Sequence, residues 1–306
     1  MASHLAIPLA SSAITYFQAI VLGFLQGVTE LFPISSLGHT VLFPTLFGWN
    51  ELVKAQSESE SFWLAFIVML HVGSALGLLV YYWRDWVEIV KAFFHTLSTR
   101  RAETDTERLA WLLIVASIPA GVIGLALEHP LRTLTAKPEV AAAFLMVNGL
   151  VLFGAERFRR RAQVRELAVR EGAKTDGGRE LETMEYREAF VIGAAQSTAL
   201  IAGISRDGVT MGAGLARGLD HSDAARFAFL LATPIILAAG LLKLPELLGH
   251  HGDGIRGQAL VACVVAGVTA FFTVRFLVNY FKTRTLIPFA VYCLAFGAFM
   301  LVYTLA

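Results

Sequence analysis

The chain is short of charge. Of its 306 residues only 16% are Asp, Glu, Lys or Arg, where an ordinary soluble domain carries about a quarter. That scarcity, with apolar runs too long and too clean for a water-soluble core, excludes a solvated globule. Net charge is +1, so no polyanion-binding face is implied and nucleic acid is not an expected partner. There are 2 cysteines, Cys263 and Cys293. Both sit in apolar runs, and neither a disulfide framework nor a metal-binding spacing can be read from them. The opening stretch MASHLAIPLASSAITYF lacks a basic region. A cleaved signal peptide is therefore not expected, and insertion would use the spans themselves.

What the chain has instead is hydrophobicity: 56% apolar residues and a mean hydropathy of +0.62. A helix needs about 20 apolar residues to cross the hydrocarbon core. Six runs qualify, near 62–83, 109–127, 139–155, 222–246, 257–279 and 285–305. The expected fold class is an all-α polytopic membrane protein.

Two further segments are one pattern written twice. Residues 19–40 read AIVLGFLQGVTELFPISSLGHT, and 189–210 read AFVIGAAQSTALIAGISRDGVT. Aligned without a gap they share Ala19/Ala189, Val21/Val191, Gly23/Gly193, Gln26/Gln196, Ile34/Ile204, Ser35/Ser205, Gly38/Gly208 and Thr40/Thr210. Average composition predicts about one or two matches. Each copy starts as an apolar helix, breaks at Gly, Pro and small polar residues, and then resumes. Two broken half-length segments in matching positions predict two re-entrant helix pairs. Three full spans follow each pair, which makes the second half an inverted copy of the first. The halves run from about 12 to 155 and from about 188 to 306, joined by a connector at 156–187, in one membrane domain spanning 1–306.

Basic residues are distributed accordingly. The loops 84–108, 156–187 and 280–284 hold 16 Lys or Arg, against 4 in 48–61, 128–138 and 247–256. The basic side should be cytoplasmic. Kinked helices that cross fully would make the repeats parallel and leave the same charge split, so the bias does not decide between them. The connector reads first as a solvated link that begins as a helix extension and breaks at Lys174–Gly178. Its second reading is a surface for anionic lipid headgroups.

The mismatches between the copies carry the chemistry. Glu30, Ser36 and His39 stand opposite Leu200, Arg206 and Val209. A carboxylate inside an apolar segment is expensive and by default functional. Gln26 lies one turn before Glu30, on the same helical face. A turn through Pro33, Ser35, Ser36, Gly38 and His39 would bring hydroxyls and an imidazole beside that carboxylate, parts suited to nucleophile activation or acid–base work. In the second copy, Gly203 and Gly208 permit close backbone approach, while Ser205, Arg206 and Thr210 supply donors. Arg at a glycine-flanked helix start reads as a phosphate cradle. A structural Glu30–Arg206 pair is the plainer alternative. His71, inside a full span, reads as an interhelical hydrogen-bonding residue; His4, His95, His129, His221, His250 and His251 sit at ends or loops and are given no role.

These residues carry a resemblance. QGVTELFPISSLGH is similar to the first motif of the undecaprenyl-diphosphate phosphatase family of bacitracin-resistance membrane proteins, at Gln26, Glu30, Pro33, Ser35, Ser36 and His39. AGISRDGVT resembles its PGxSRSxxT motif at Gly203, Ser205, Arg206 and Thr210. The stretch from His71 to Trp86 looks like the span that follows the first motif. Ala202 and Asp207 depart from the pattern, which has Pro and Ser there. Asp207 would repel a diphosphate, bind a cation or pair with Arg206.

The resemblance implies hydrolysis of undecaprenyl diphosphate to undecaprenyl phosphate and inorganic phosphate in the bacterial inner membrane, near its outer face. It implies Glu30, Ser36, His39 and Arg206 as catalytic residues, with Gln26, Ser35, Gly203, Ser205 and Thr210 binding substrate. It also implies a divalent cation, Mg2+ or Ca2+, at Glu30, the lipid substrate and membrane lipid as partners, and allows a homodimer. Ser36 with His39 as its acid or base is the preferred mechanism; His39 as the nucleophile is the alternative. A polyprenyl-phosphate flippase or transporter on the same repeat, and a non-catalytic lipid-binding relative, are the competing functions.

Overall fold

The computed structural model describes residues 14–57, 62–135, 137–169, 179–249 and 253–306. His4, His250 and His251, the opening stretch and the Lys174–Gly178 break lie outside them, as does the side chain of His129. The described chain is helical: α1 Tyr16–Thr29, α2 Ser36–Leu46, α3 Asn50–Ser57, α4 Phe62–Tyr81, α5 Trp83–Thr99, α6 Asp105–Thr135, α7 Pro138–Val169, α8 Tyr186–Gln196, α9 Arg206–Ala216, α10 His221–Leu248, α11 Arg256–Tyr280 and α12 Ile287–Leu305.

Six of these are long and apolar enough to cross a membrane, namely α4, α6, α7, α10, α11 and α12. They coincide with the six expected runs to within a few residues at most ends. Their outward faces stay apolar, with Val122, Leu125, Leu241, Phe272 and Val302 all exposed, as a lipid surround requires. One expectation needs refinement. Residues 84–108 are mostly not loop but α5, whose Val87, Val90, Phe94 and Leu97 are exposed along one face. The start of the connector is the helix extension expected, since α7 continues to Val169.

The repeated segments are the short elements. At 14 residues α1 is about 21 Å long, and at 11 residues α8 is about 17 Å; neither spans a hydrocarbon core of about 30 Å. Thr15 starts α1 with a capping box, accepting from Gln18 N while Gln18 Oε1 accepts from Thr15 N. Pro33, which has no N–H to give, follows its end. In the second copy, α8 gives way to a 3₁₀ turn over Ser197–Leu200.

Glycine sets how closely these elements pack. A Cβ on Gly23 would lie 2.6 Å from the Ala262 carbonyl oxygen of α11, and one on Gly193 would collide with the Ala116 carbonyl oxygen of α6. The first helix of each repeat is thus pressed against a long helix of the other half.

Candidate active site

Both breaks end in the same cap. Ser35 Oγ accepts from Gly38 N at 3.2 Å to start α2, and Ser205 Oγ accepts from Gly208 N at 3.1 Å to start α9. The two turns are then tied together. Gly203 N donates to Ser35 Oγ at 3.1 Å. Asn148 on α7 bridges them, donating through Nδ2 to Pro33 O and accepting at Oδ1 from Ser205 N, each at 2.9 Å. The fit demands unusual backbone. Ser35 has a φ of 70°, and Gly203 has a φ of 105° with the Ala141 carbonyl oxygen 2.5 Å from where its Cβ would be. Only glycine meets both conditions at 203.

Between the turns is a cavity of about 170 Å3. Its polar wall comprises Glu30, Ser35, Ser36, His71, Gln196, Ser197, Ser205 and Arg206, and its apolar wall includes Leu37, Leu200, Ile204 and Ile235. Both α2 and α9 begin at it, so two helix N-termini, each favouring an anion, converge on one space.

Glu30 is the hub. Its Oε1 accepts from Arg206 Nη2 at 2.7 Å. Its Oε2 accepts from Gln26 Nε2 at 2.9 Å and from the Ser36 hydroxyl. His71 Nε2 lies 3.3 Å from the same oxygen, with His71 Nδ1 bonded to Ile67 O at 2.8 Å. Arg206 turns its Nε to Asp207 Oδ1 at 3.2 Å. Asp207 thus pairs with Arg206, one of the three roles open to it. Its carboxylate is fully buried, and Oδ2 has no partner among the described residues.

Of the expected residues, the structure brings Glu30, Ser35, Ser36, Ser205 and Arg206 to the cavity. Gln26 is buried behind Glu30, Gly203 shapes the turn, and Thr210 is buried on α9. His39 is placed differently from the expectation that it serves Ser36. Its Nδ1 bonds Ser35 O at 2.7 Å and its Nε2 bonds Tyr292 Oη at 2.8 Å. Its ring stacks with Phe43, Tyr292 and Phe296. Both nitrogens are occupied, Nδ1 on the cap of its own helix and Nε2 on α12, while the Ser36 hydroxyl goes to Glu30.

Four participants were not assigned from sequence. His71 was read as structural, and Asn148, Ser197 and Gln196 received no role. Asn148 is an uncharged polar residue inside an apolar run, the one signal that could have drawn attention to it. Elsewhere, His221 is buried and bonds Glu156 Oε1 at 2.6 Å, an oxygen that also accepts from Leu286 N; the contact joins the starts of α10 and α12 to the interior of α7. Cys263 and Cys293 are free and buried.

Six apolar spanning-length helices around a buried carboxylate–serine–arginine cluster define a helical membrane protein with an internal polar site. The chain belongs to the family of the bacitracin resistance protein BacA, whose model matches residues 19–299, and it is a multi-pass membrane protein. Its curated relatives include undecaprenyl-diphosphatase 2 of Frankia alni, 51% identical over 93% of this chain and 96% of that protein. The undecaprenyl-diphosphatase of Mycolicibacterium paratuberculosis is 52% identical over 95% and 97%, and that of Acidiphilium cryptum 44% identical over 93% and 96%.

Proposed function

We propose that the protein hydrolyses undecaprenyl diphosphate to undecaprenyl phosphate and inorganic phosphate, recycling the lipid carrier of cell-wall synthesis and thereby conferring bacitracin resistance. The names of its relatives support the substrate. The observation that carries the chemistry is the Ser36 hydroxyl bonded to Glu30, a carboxylate itself held by Arg206. The cavity has room for about five or six waters, enough for a headgroup and too little for a polyprenyl tail, which would lie against the apolar helices.

In this reading the diphosphate enters between the two helix N-termini, with Arg206, Ser35 and Ser205 around its oxygens. Ser36 Oγ attacks the terminal phosphorus, and its proton passes to Glu30 Oε2. The bond from phosphorus to the bridging oxygen breaks, and undecaprenyl phosphate departs. Catalysis is mostly positioning and charge stabilisation, as is general for phosphoryl transfer. His39 acts at one remove, fixing α2 against α12 through Tyr292. His71 faces Glu30 from α4 and closes the polar wall.

For a divalent cation, the donor set is sparse. Among the described residues no group of three or more His, Cys, Asp or Glu is arranged to hold a metal. Glu30 is the one carboxylate on the cavity wall, and the buried Gln26 Oε1 beside it is an unpartnered oxygen. That set suits Mg2+, which is commonly held by one or two carboxylates together with substrate phosphates. Glu30, Gln26 and the diphosphate would hold the ion, which would neutralise charge on the phosphate oxygens.

The two repeats form an inverted pair of re-entrant segments in this reading. Its support is the exchange of contacts: Gly23 packs on Ala262 of α11, and its counterpart Gly193 packs on Ala116 of α6, the corresponding helix of the other half. With the basic loops cytoplasmic, the first repeat enters from the outer face of the inner membrane, and the site opens that way.

Phosphate release from a polyprenyl diphosphate by purified protein, with and without a chelator, tests the proposal. Release matched by polyprenyl phosphate, abolished in Ser36→Ala and Arg206→Ala variants that still fold, is the expected result. Absence of release from the wild-type protein in either condition would sink it and leave transport as the better reading. Loss on chelation alone would establish the metal.

A further inference from the structure

The second copy of the repeated glutamine is diverted from its counterpart's role. Gln26 gives its amide nitrogen to Glu30, one helical turn on. Gln196 has Leu200 at that place, and its Nε2 instead donates to Ala116 O at 2.9 Å. A carbonyl can only accept, so the bond fixes the amide's orientation and leaves Oε1 as the free end. That oxygen is buried without a partner among the described residues. The next residue differs too. Where the first copy has Gly27, pressed against α11, the second has Ser197 at the start of a 3₁₀ turn. Ser197 Oγ is likewise buried and unpartnered. Gln196 is 3% exposed and Ser197 8%, yet both line the cavity that holds Ser36, Glu30 and Arg206.

Two unpaired polar atoms on consecutive residues lining a cavity large enough for several waters call for a ligand, because unsatisfied buried polar groups are costly. The free amide end only accepts, while the hydroxyl donates or accepts. A diphosphate oxygen offers no hydrogen to a carbonyl, so the pair suits water better than phosphate. We infer that Gln196 Oε1 and Ser197 Oγ hold the water that completes the reaction, an inference resting on the phosphoserine step proposed above. The water oxygen bonds to the phosphorus on Ser36, and the P–Oγ bond breaks. Glu30 returns its proton to Ser36 Oγ, and both water hydrogens leave on dihydrogen phosphate. A glutamine that orients an attacking water is an established device in phosphoryl transfer. Here its carbonyl oxygen is unpartnered, as that of Gln26 is, but it belongs to a residue of the cavity wall beside Ser197.

Rapid acid quench of purified enzyme with a polyprenyl diphosphate, followed by mass analysis of Ser36, tests this. Ser197→Ala should lower kcat about threefold to tenfold, the worth of one hydrogen bond, with KM unchanged. Gln196→Leu combined with Ser197→Ala should slow turnover further and accumulate phosphoserine at Ser36 that the wild type does not. Ser197→Thr, which keeps a hydroxyl, should restore turnover and separates lost water from lost folding. Wild-type turnover in the Ala and double variants overturns the inference, as does slowed turnover without phosphoserine. No release by wild-type protein removes the proposed function itself, whereas full release by Ser36→Ala removes only the serine step. Each of these also overturns the water assignment, and neither resembles its own failure, in which the wild type and Ser36→Ala behave as expected.

Discussion

Glu30 and Arg206 are 176 residues apart in sequence and 2.7 Å apart in the fold. Neither repeat holds both, so the site exists only when the two halves close on each other. Glu30 is buried and the Arg206 side chain is 16% exposed, and Arg206 is shared with a second carboxylate, Asp207. Two carboxyl groups therefore share one guanidinium before any substrate arrives, and an entering phosphate competes with Glu30 for the same fork of donors.

Removing one partner of a buried pair strands the other charge, which typically costs about 3–5 kcal/mol. Glu30→Gln and Arg206→Ala should each lower stability by that order, and the double variant by much less than their sum. A double-mutant cycle on thermal unfolding of the purified protein measures the coupling. Additive losses would show that the two side chains act independently.

Asn148 is the other clasp between the halves. Asn148→Leu strands Pro33 O and Ser205 N, each a buried group worth about 1–3 kcal/mol when left unsatisfied. The turns should loosen, so that amide exchange at Ser205 accelerates while amides in the middle of α12 keep their protection. Unchanged exchange at Ser205 would show that Asn148 does not hold the second turn.

The fold and half of the site were legible in the sequence for a physical reason. Spanning helices must be apolar over about 20 residues whatever they touch, so α4, α6, α7, α10, α11 and α12 were visible as runs. Glu30 and Arg206 stood out because charge in such surroundings is expensive, and Ser36 because the repeat placed it opposite Arg206. His71 and Asn148 meet their partners, Glu30, Pro33 and Ser205, only in the fold, and Ser197 Oγ has none among the described residues. No local period encodes that His71 on α4 meets Glu30. Gln196 is legible as a repeat identity, but its bond to Ala116 O on α6 is made only in the fold. His39 was the instructive exception, since its motif position suggested chemistry while its two ring nitrogens are used on Ser35 and Tyr292.

That placement of His39 makes a contrast between two variants. Tyr292→Phe deletes one hydrogen bond, which should lower stability by about 1 kcal/mol and leave kcat within a few fold of wild type. Ser36→Ala also deletes one hydrogen bond, to Glu30, and should abolish turnover at a comparable cost in stability. Kinetics and melting of both proteins decide the matter. Abolished turnover in a stable Tyr292→Phe protein would assign the His39 ring to the chemistry.

The start of α8 supplies a pH-dependent element outside the spans. Arg179 holds both oxygens of Glu188, Nη1 to Oε1 at 2.7 Å and Nη2 to Oε2 at 2.8 Å, while its own N–H bonds Gly218 O at 2.7 Å. It thereby fastens the chain entering α8 to the loop that leaves α9. The Arg179 guanidinium and the Glu185 N–H hold the Glu188 carboxyl below its usual range, against an opposing push from burial. A carboxyl with a depressed folded pKa adds stability above its unfolded pKa of about 4.3, and loses it as pH falls through the lower folded value. Glu188→Gln removes that contribution. At pH 7 the wild type should melt above the variant, and the gap should close as the pH is lowered from 5 towards 3. Thermal melts of both proteins in detergent across that range measure it. A gap that stays constant would mean that ionised Glu188 contributes nothing to holding α8 in place.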